Sequence, residues 1–284
     1  ISFNGGYHGL DFGTLALGSR EDFRKPFVSW TAASQVRFCN YATSVEQLES
    51  EFIAAVQSLE KSGSGTAAVI VEPIQGRGGV RVPPDGWLEK LKELCVQNGV
   101  LLIFDEIFTG LGRCGEYSHA DRIACDLLCL GKALGGGLPL SACVGTREVM
   151  AAWPENTGEA IHTGTFFGHP LSCRLGARVI ESLKGQDLPG RAKALGKSVS
   201  EFLAEKFAEQ NVAVEISGKG LMLGLKFAKP GIAVTFMNQL RGKGIIVLPS
   251  GEKADVISIT PALNIDEQLF RNTLTQCCET FLQT

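Results

Sequence analysis

Short runs of uninterrupted apolar residues alternate along this chain with stretches in which apolar positions recur every three or four residues. The first pattern marks strands buried on both faces, and the second marks amphipathic helices. Residues 67–72, 100–105 and 126–130 follow the first pattern. Residues 141–145 read as a fourth strand, with a short helix behind it through Met150. Trp87 to Gln97 follows the second pattern, with Leu88, Leu91, Leu94 and Cys95 on one face. The opening Ile1-Ser2-Phe3-Asn4 reads as a strand running into the glycine turn Gly5-Gly6-Tyr7-His8-Gly9. This alternation predicts an α/β unit with a mainly parallel sheet.

The pattern changes after Pro170. A helix is predicted to about Leu183 and another from Pro189 to Glu209. Strands are then expected at Val212 to Ile216, Leu221 to Phe227 and Val256 to Ile259, with helices at Ile232 to Lys243 and Asp266 to Leu282. We read residues 1–183 as a large α/β domain and 184–284 as a smaller C-terminal α+β domain. No internal repeat or low-complexity stretch interrupts them.

Composition narrows the function classes. The 284 residues are 44% apolar and 20% charged, as expected of a globular chain with ample core. A net charge of −3 and the lack of a Lys/Arg block argue against nucleic acid or an anionic membrane as partner. No apolar run approaches the roughly 20 residues of a membrane span. The nine cysteines form no C-x-x-C pair, have no metal-ligand spacing and sit mostly among apolar neighbours. Buried thiols in a reducing cytoplasm are therefore expected. The chain begins without Met and enters directly into a strand, so it reads as the middle of a larger protein.

Two residues carry candidate chemistry. The apolar run Leu127 to Leu130 delivers Lys132 into the glycine-rich turn Gly131 to Gly137. That is a way to hold an amine in a partly desolvated pocket, where its pKa falls and it can attack a carbonyl to give a Schiff base. The strand Leu101 to Phe104 ends in Asp105, at the strand end where open α/β sheets gather ligands. A Schiff-base lysine and an acid for a pyridinium nitrogen are the minimum apparatus of a pyridoxal-phosphate enzyme.

Four motifs occur in order: Glu72-Pro73-Ile74-Gln75-Gly76, Asp105 to Arg113 (DEIFTGLGR), Leu130 to Gly137 (LGKALGGG) and His162 to Pro170 (HTGTFFGHP). Together they resemble the class-III aminotransferases, the fold-type-I pyridoxal-phosphate enzymes that include ornithine and 4-aminobutyrate aminotransferases. The resemblance implies a homodimer with shared active sites and amine and keto acid or aldehyde substrates. It implies that Lys132 carries the cofactor and shuttles a proton, and that Asp105 pairs with the pyridinium nitrogen. Tyr7 would stack on one ring face and Ile107 pack the other. His8 follows the family's aromatic-His-Gly pattern without an assignable step. Thr165 would donate to the cofactor phosphate across the dimer interface. Glu72 and Gln75 are pocket neighbours only, and Glu106 has no derivable role. Gly135 to Gly137 is a weak phosphate cradle, since it lacks the strand–GxGxxG–helix order.

The departures bear on substrate. Relatives of the ornithine and 4-aminobutyrate type carry an Arg after the aromatic-His-Gly motif, where this chain has Leu10. They carry a Glu two residues after the Gln of the Glu-Pro-Ile-Gln motif, where it has Arg77. They carry a C-terminal Arg where it has Ser258. The arginine and the glutamate form a gate for the carboxylate of glutamate or 2-oxoglutarate, and serine cannot rebuild a bidentate arginine clamp. That co-substrate pair is therefore not expected, and Arg77 is the candidate relocated cation for a substrate carboxylate or other anion. Phe108 replaces a Gln often found beside the cofactor hydroxyl and makes the pocket more apolar. Family members also carry a further region ahead of the segment matching Ile1, which supplies phosphate-binding backbone N–H groups. Without it weak cofactor binding is expected.

The leading reading is ping-pong transfer of an amino group from a primary amine or ω-amino acid to a keto acid or aldehyde. Gly135 to Pro139 also resembles glutamate-1-semialdehyde aminomutase, a pyridoxal-phosphate isomerase of the same fold. A nicotinamide dehydrogenase would need a GxGxxG turn after the first strand and an acid further on, and both are missing. An inactive fragment or interaction protein is the remaining alternative.

Overall fold

In a computed structural model, which describes residues 1–153, 158–160 and 162–282, the apolar runs lie side by side as strands. β1 (Ser2–Phe3) pairs in parallel with β2 (Phe38–Cys39). β3 (Ala68–Val71), β4 (Leu101–Asp105) and β5 (Leu127–Leu130) follow as parallel neighbours. β6 (Ala142–Gly145) runs antiparallel to β5. The connection from β5 to β6 is too short for a parallel crossover, so the chain must return beside itself. β1 also rests on β3, with the Ile70 amide donating to the Ile1 carbonyl at 3.0 Å and the Ile1 amine to the Ala68 carbonyl at 2.8 Å. The sheet is mainly parallel, as expected, with β6 the exception.

Two short helical turns, α1 (Phe12–Leu15) and α2 (Glu21–Arg24), precede β2. One sheet face is covered by α3 (Val45–Lys61) and α4 (Trp87–Gln97). Leu48, Phe52, Val56 and Leu59 of α3 and Trp87, Leu91 and Leu94 of α4 close on Val69, Val71, Leu102 and Phe104. Leu91 is fully enclosed, so truncation to Ala would cost about 2–5 kcal/mol. The α3 helix, capped by the Ser44 hydroxyl accepting from the Gln47 amide, has no counterpart among the predicted elements.

After α5 (Arg147–Ala151), α6 (Pro170–Gly185) packs on the turn that carries Lys132. A Cβ on Gly176 would stand 3.1 Å from the Leu134 carbonyl, so glycine lets the helix approach this closely.

A second core lies among α7 (Leu188–Glu209), β7 (Val214–Lys219), β8 (Met222–Phe227), α8 (Ile232–Gly242), β9 (Leu248–Ser250), β10 (Val256–Ile259) and α9 (Glu267–Leu282). The strands form an antiparallel sheet in the order β7-β8-β10-β9. β7 begins two residues later than its pattern predicts and runs on to Lys219. β9 has no counterpart among the predicted elements; it contains Pro249, which fits an edge strand.

The cysteines depart from expectation. Cys39, Cys95, Cys114, Cys277 and Cys278 are buried, Cys125 and Cys129 half-buried, and Cys143 and Cys173 exposed. Cys143 lies on β6, at the edge of its sheet, and Cys173 is on the open side of α6. Among the described residues no helix is long and apolar enough to cross a membrane.

Candidate active site

The chemistry-bearing residues gather at one end of the parallel strands. β3, β4 and β5 are apolar because helices or neighbouring strands pack against them. Where each strand ends the chain can present polar groups, and it presents Glu72, Asp105 and Lys132.

Asp105 is buried and its two oxygens are separately held. Oδ2 lies 2.8 Å from His8 Nδ1, and Oδ1 accepts from the Ile107 amide at 3.1 Å. His8 is itself buried. The residue that sequence could give no step therefore orients the acid, fixing one carboxylate face.

Lys132 follows β5 with φ of 43°, in the left-handed region where a long side chain is disfavoured. Its Nζ stands over the Phe108 ring, 5.0 Å from the centroid. The residue as a whole is solvent-accessible, so any desolvation of the amine is partial, as expected. Enough protein nevertheless surrounds the amine to lower its pKa by desolvation, against the opposing charges of Asp105 and Glu72. The two observations agree if the amine borders an open space with protein on its other sides. The direction of the shift favours the neutral, nucleophilic form.

Glu72 is the feature that sequence reasoning undervalued. It is buried, and its oxygens accept from the Tyr7 amide at 2.9 Å and the Gly76 amide at 3.0 Å. Burial raises its pKa to about 6, against the lowering effects of His8 and the two N–H donors. A signal existed, since the run ending at Glu72 stops in an acid just as the run ending at Asp105 does.

Tyr7 is half-buried and has the Arg77 guanidinium over its ring at 5.5 Å. Arg77 is exposed at the tip of a tight turn based on the Gln75–Arg81 backbone pair. Its carbonyl accepts from the Gly251 amide at 3.0 Å, which ties the turn to the second sheet. Ile107 lies against Gly131, where a Cβ would come within 3.3 Å of its side chain. Phe108 leans on Gly76, and its ring would collide with any Cβ there, at 2.4 Å. The Phe108 ring thus fills the space between the Gly76 turn and the Lys132 amine.

Glu106, without a role from sequence, is a buried acceptor for its own loop. Its carboxylate receives the Ser118 hydroxyl at 2.5 Å, the Thr109 hydroxyl at 3.2 Å and the Ala120 amide at 3.3 Å, and faces His119 Nδ1 at 3.1 Å. From that loop Arg113 donates to the Leu221 carbonyl at 2.9 Å and the Pro261 carbonyl at 2.6 Å, joining the two cores. Ser258 is engaged elsewhere, in a 2.7 Å hydroxyl pair with Ser250 across β9 and β10. Thr165 is exposed in the turn before α6, and among the described residues no hydrogen bond brings it to Lys132 or Asp105.

These residues fit one half of a pyridoxal-phosphate site. An amine of lowered pKa feels the charges of two buried carboxylates, one of them held by an imidazole, and stands over the Phe108 ring.

The family model for class-III aminotransferases matches residues 1–281. The fold superposes on an ornithine aminotransferase from Toxoplasma gondii with a TM-score of 0.85 and 31% identity, over 99% of this chain and 63% of that one. An ornithine aminotransferase from Plasmodium yoelii matches at 30% identity and a TM-score of 0.72, over 88% of this chain and 62% of that one. A transaminase from the marine bacterium Virgibacillus shares the fold at 22% identity, with a TM-score of 0.85, over 99% of this chain and 67% of that one. The chain thus spans less than two thirds of the length of the two ornithine aminotransferases.

Proposed function

Because the chain belongs to the class-III aminotransferases, a family that depends on pyridoxal phosphate, we propose that it carries the lysine and acid of a transaminase site. The reaction is transfer of an amino group from a primary amine or ω-amino acid to a keto acid or aldehyde. The observation that carries this reading is the placing of Lys132 and of an Asp105 fixed by His8 at the same ends of adjacent strands, near enough for the acid's charge to act on the amine. Residues 1–183 serve as the cofactor-binding unit and 184–284 as the small unit, in keeping with their separate cores.

When bound, the cofactor supplies an aldehyde for primary amines and a ring that draws electrons from the carbon next to the nitrogen. Lys132 Nζ supplies the protein's amine, and its lowered pKa keeps more of it neutral at a given pH. Free of the cofactor, Nζ would be the base that takes a proton from the substrate carbon bearing the amino group and returns it. Asp105 would hold the cofactor's ring nitrogen in its protonated form, and His8 keeps the carboxylate aimed. Tyr7 and Ile107 are the residues that would hold the ring by its faces.

Arg77, standing on Tyr7, is the cation for a substrate carboxylate or other anion. Thr165 serves the partner subunit of a homodimer with shared active sites. Its exposure beside exposed Phe166 and Phe167 supports that reading. The free cysteines suit a reducing, cytoplasmic setting.

Titration of the chain with pyridoxal phosphate tests the proposal. A visible absorption band that is lost in Lys132→Ala is expected, and an equal band in that variant would refute the assignment.

A further inference from the structure

The turn that carries Lys132 is a loop closed at its base by two antiparallel strands, and each strand contributes a cysteine there. Cys129 of β5 and Cys143 of β6 are direct register partners. Directly opposed antiparallel residues have Cα atoms about 4.5–5.5 Å apart and side chains on the same face. That range lies within the roughly 4.4–6.8 Å that a disulfide spans. Among the described residues no other two cysteines are register partners. Both thiols are free, Cys143 exposed and Cys129 half-buried.

We propose that Cys129 and Cys143 form a redox-active dithiol which low-molecular-weight disulfides oxidise to a disulfide, tying the base of the Lys132 loop. The exposed Cys143 thiolate attacks the small disulfide, forms a mixed disulfide and releases one small thiolate. Cys129 then gives up its proton, and its sulfur attacks Cys143 Sγ, expelling the second small thiolate. The protein loses two electrons and two protons, and one small disulfide becomes two thiols. Cys143 is the exposed thiol and meets the small disulfide first, whereas burial holds the Cys129 thiol high, at about 12, and leaves it to resolve the mixed disulfide.

The location gives the bond a consequence. Asp105 is the register partner of Cys129 on the other side of β5. Lys132 lies within the ring that the disulfide would close, in a turn with three positions in the left-handed region. These are Lys132 itself at φ 43°, then Gly136 and Gly137 at φ 57° and 106° after the intervening helical turn. Fixing the base of such a turn narrows the conformations open to the lysine.

The test uses the reduced 284-residue chain, incubated with oxidised glutathione and digested without reduction for peptide mass analysis. Expected is a crosslinked peptide joining Cys129 and Cys143 that dithiothreitol reverses. Cys129→Ser should instead stop at a glutathione adduct on Cys143, and Cys143→Ser should leave Cys129 unmodified. Retention of both thiols in the wild type, or a lasting adduct on Cys143 as in Cys129→Ser, would overturn the dithiol. Hydrogen exchange of residues 131–141 should slow severalfold in the oxidised chain. Unchanged exchange would overturn the tether.

Discussion

Replacing Glu72 by glutamine should change the pH dependence of stability in a direction that separates two opposing influences on this carboxyl group. Burial favours the neutral acid, whereas the Tyr7 and Gly76 amides that donate to it favour the carboxylate. Burial prevails and raises the pKa from its ordinary 4.5 to about 6. At about 1.36 kcal/mol for each pKa unit, the difference corresponds to roughly 2 kcal/mol. The sign follows from linkage. A folded-state pKa above the unfolded value means that the folded protein holds this proton more tightly. The contribution to stability is full below pH 4.5 and is lost as pH rises through about 6. The glutamine variant carries no such proton. Its side-chain amide also presents an N–H group to a site that supplies two donors, at a pH-independent cost of about 1–3 kcal/mol. The stability difference between wild type and Glu72→Gln should therefore shrink by roughly 2 kcal/mol from about pH 4 to about pH 7.5. Urea unfolding of both proteins across that range measures it, and other titrating groups cancel in the difference. A difference that stays constant, or grows with pH, would refute the reasoning and show that the two amides outweigh burial.

Three further outcomes are expected. His8→Ala should destabilise the fold by about 1–3 kcal/mol, since it strips a buried carboxylate oxygen of its partner, and His8→Asn should recover part of this by restoring a donor. Urea midpoints would decide, and equal midpoints for wild type and His8→Ala would remove His8 from its positioning role. Arg113→Met should cost about 2 kcal/mol or more, because the Leu221 and Pro261 carbonyls both lose their donor between the two cores, and an effect within about 0.5 kcal/mol would contradict that linkage. Arg77→Ala, at an exposed site, should leave stability within about 1 kcal/mol but raise KM for carboxylate-bearing substrates roughly tenfold, and KM unchanged for every anionic substrate would eliminate it as the substrate cation.

Much of this arrangement was legible because each buried strand is a single apolar run. β3, β4 and β5 could be found from composition alone, and the acids at two of their ends marked where polar groups would gather. β10 was equally clear, with all four of its residues buried. The antiparallel course of β6 was not visible, because strand direction depends on how the Lys132 loop folds back and not on the strand's own residues. The α3 helix does carry apolar residues at helical spacing, Leu48, Phe52, Ala55, Val56 and Leu59, so its signal is present in the sequence.

Side-chain partnerships were the least legible part of the site. That His8 would meet Asp105 follows from the pairing of β1 beside β3, which brings together residues 97 positions apart. That Ser258 would pair with Ser250 required β9, a strand whose proline hid it. The apolar neighbours of Cys143 predict burial, but burial on an edge strand depends on what lies beyond the edge. Phe108 is expected to make the site more apolar, and it does so by standing directly beneath the Lys132 amine.

Lys132 is proposed above as the amine that takes up pyridoxal phosphate. Its most direct test is borohydride reduction of the chain with limiting pyridoxal phosphate, followed by peptide mapping of the modified lysine. The adduct is expected on the peptide containing Lys132, ahead of exposed lysines such as Lys197 and Lys226, and is expected to be lost in Lys132→Ala. Adducts spread over the surface lysines, with Lys132 no more modified than the rest, would contradict it.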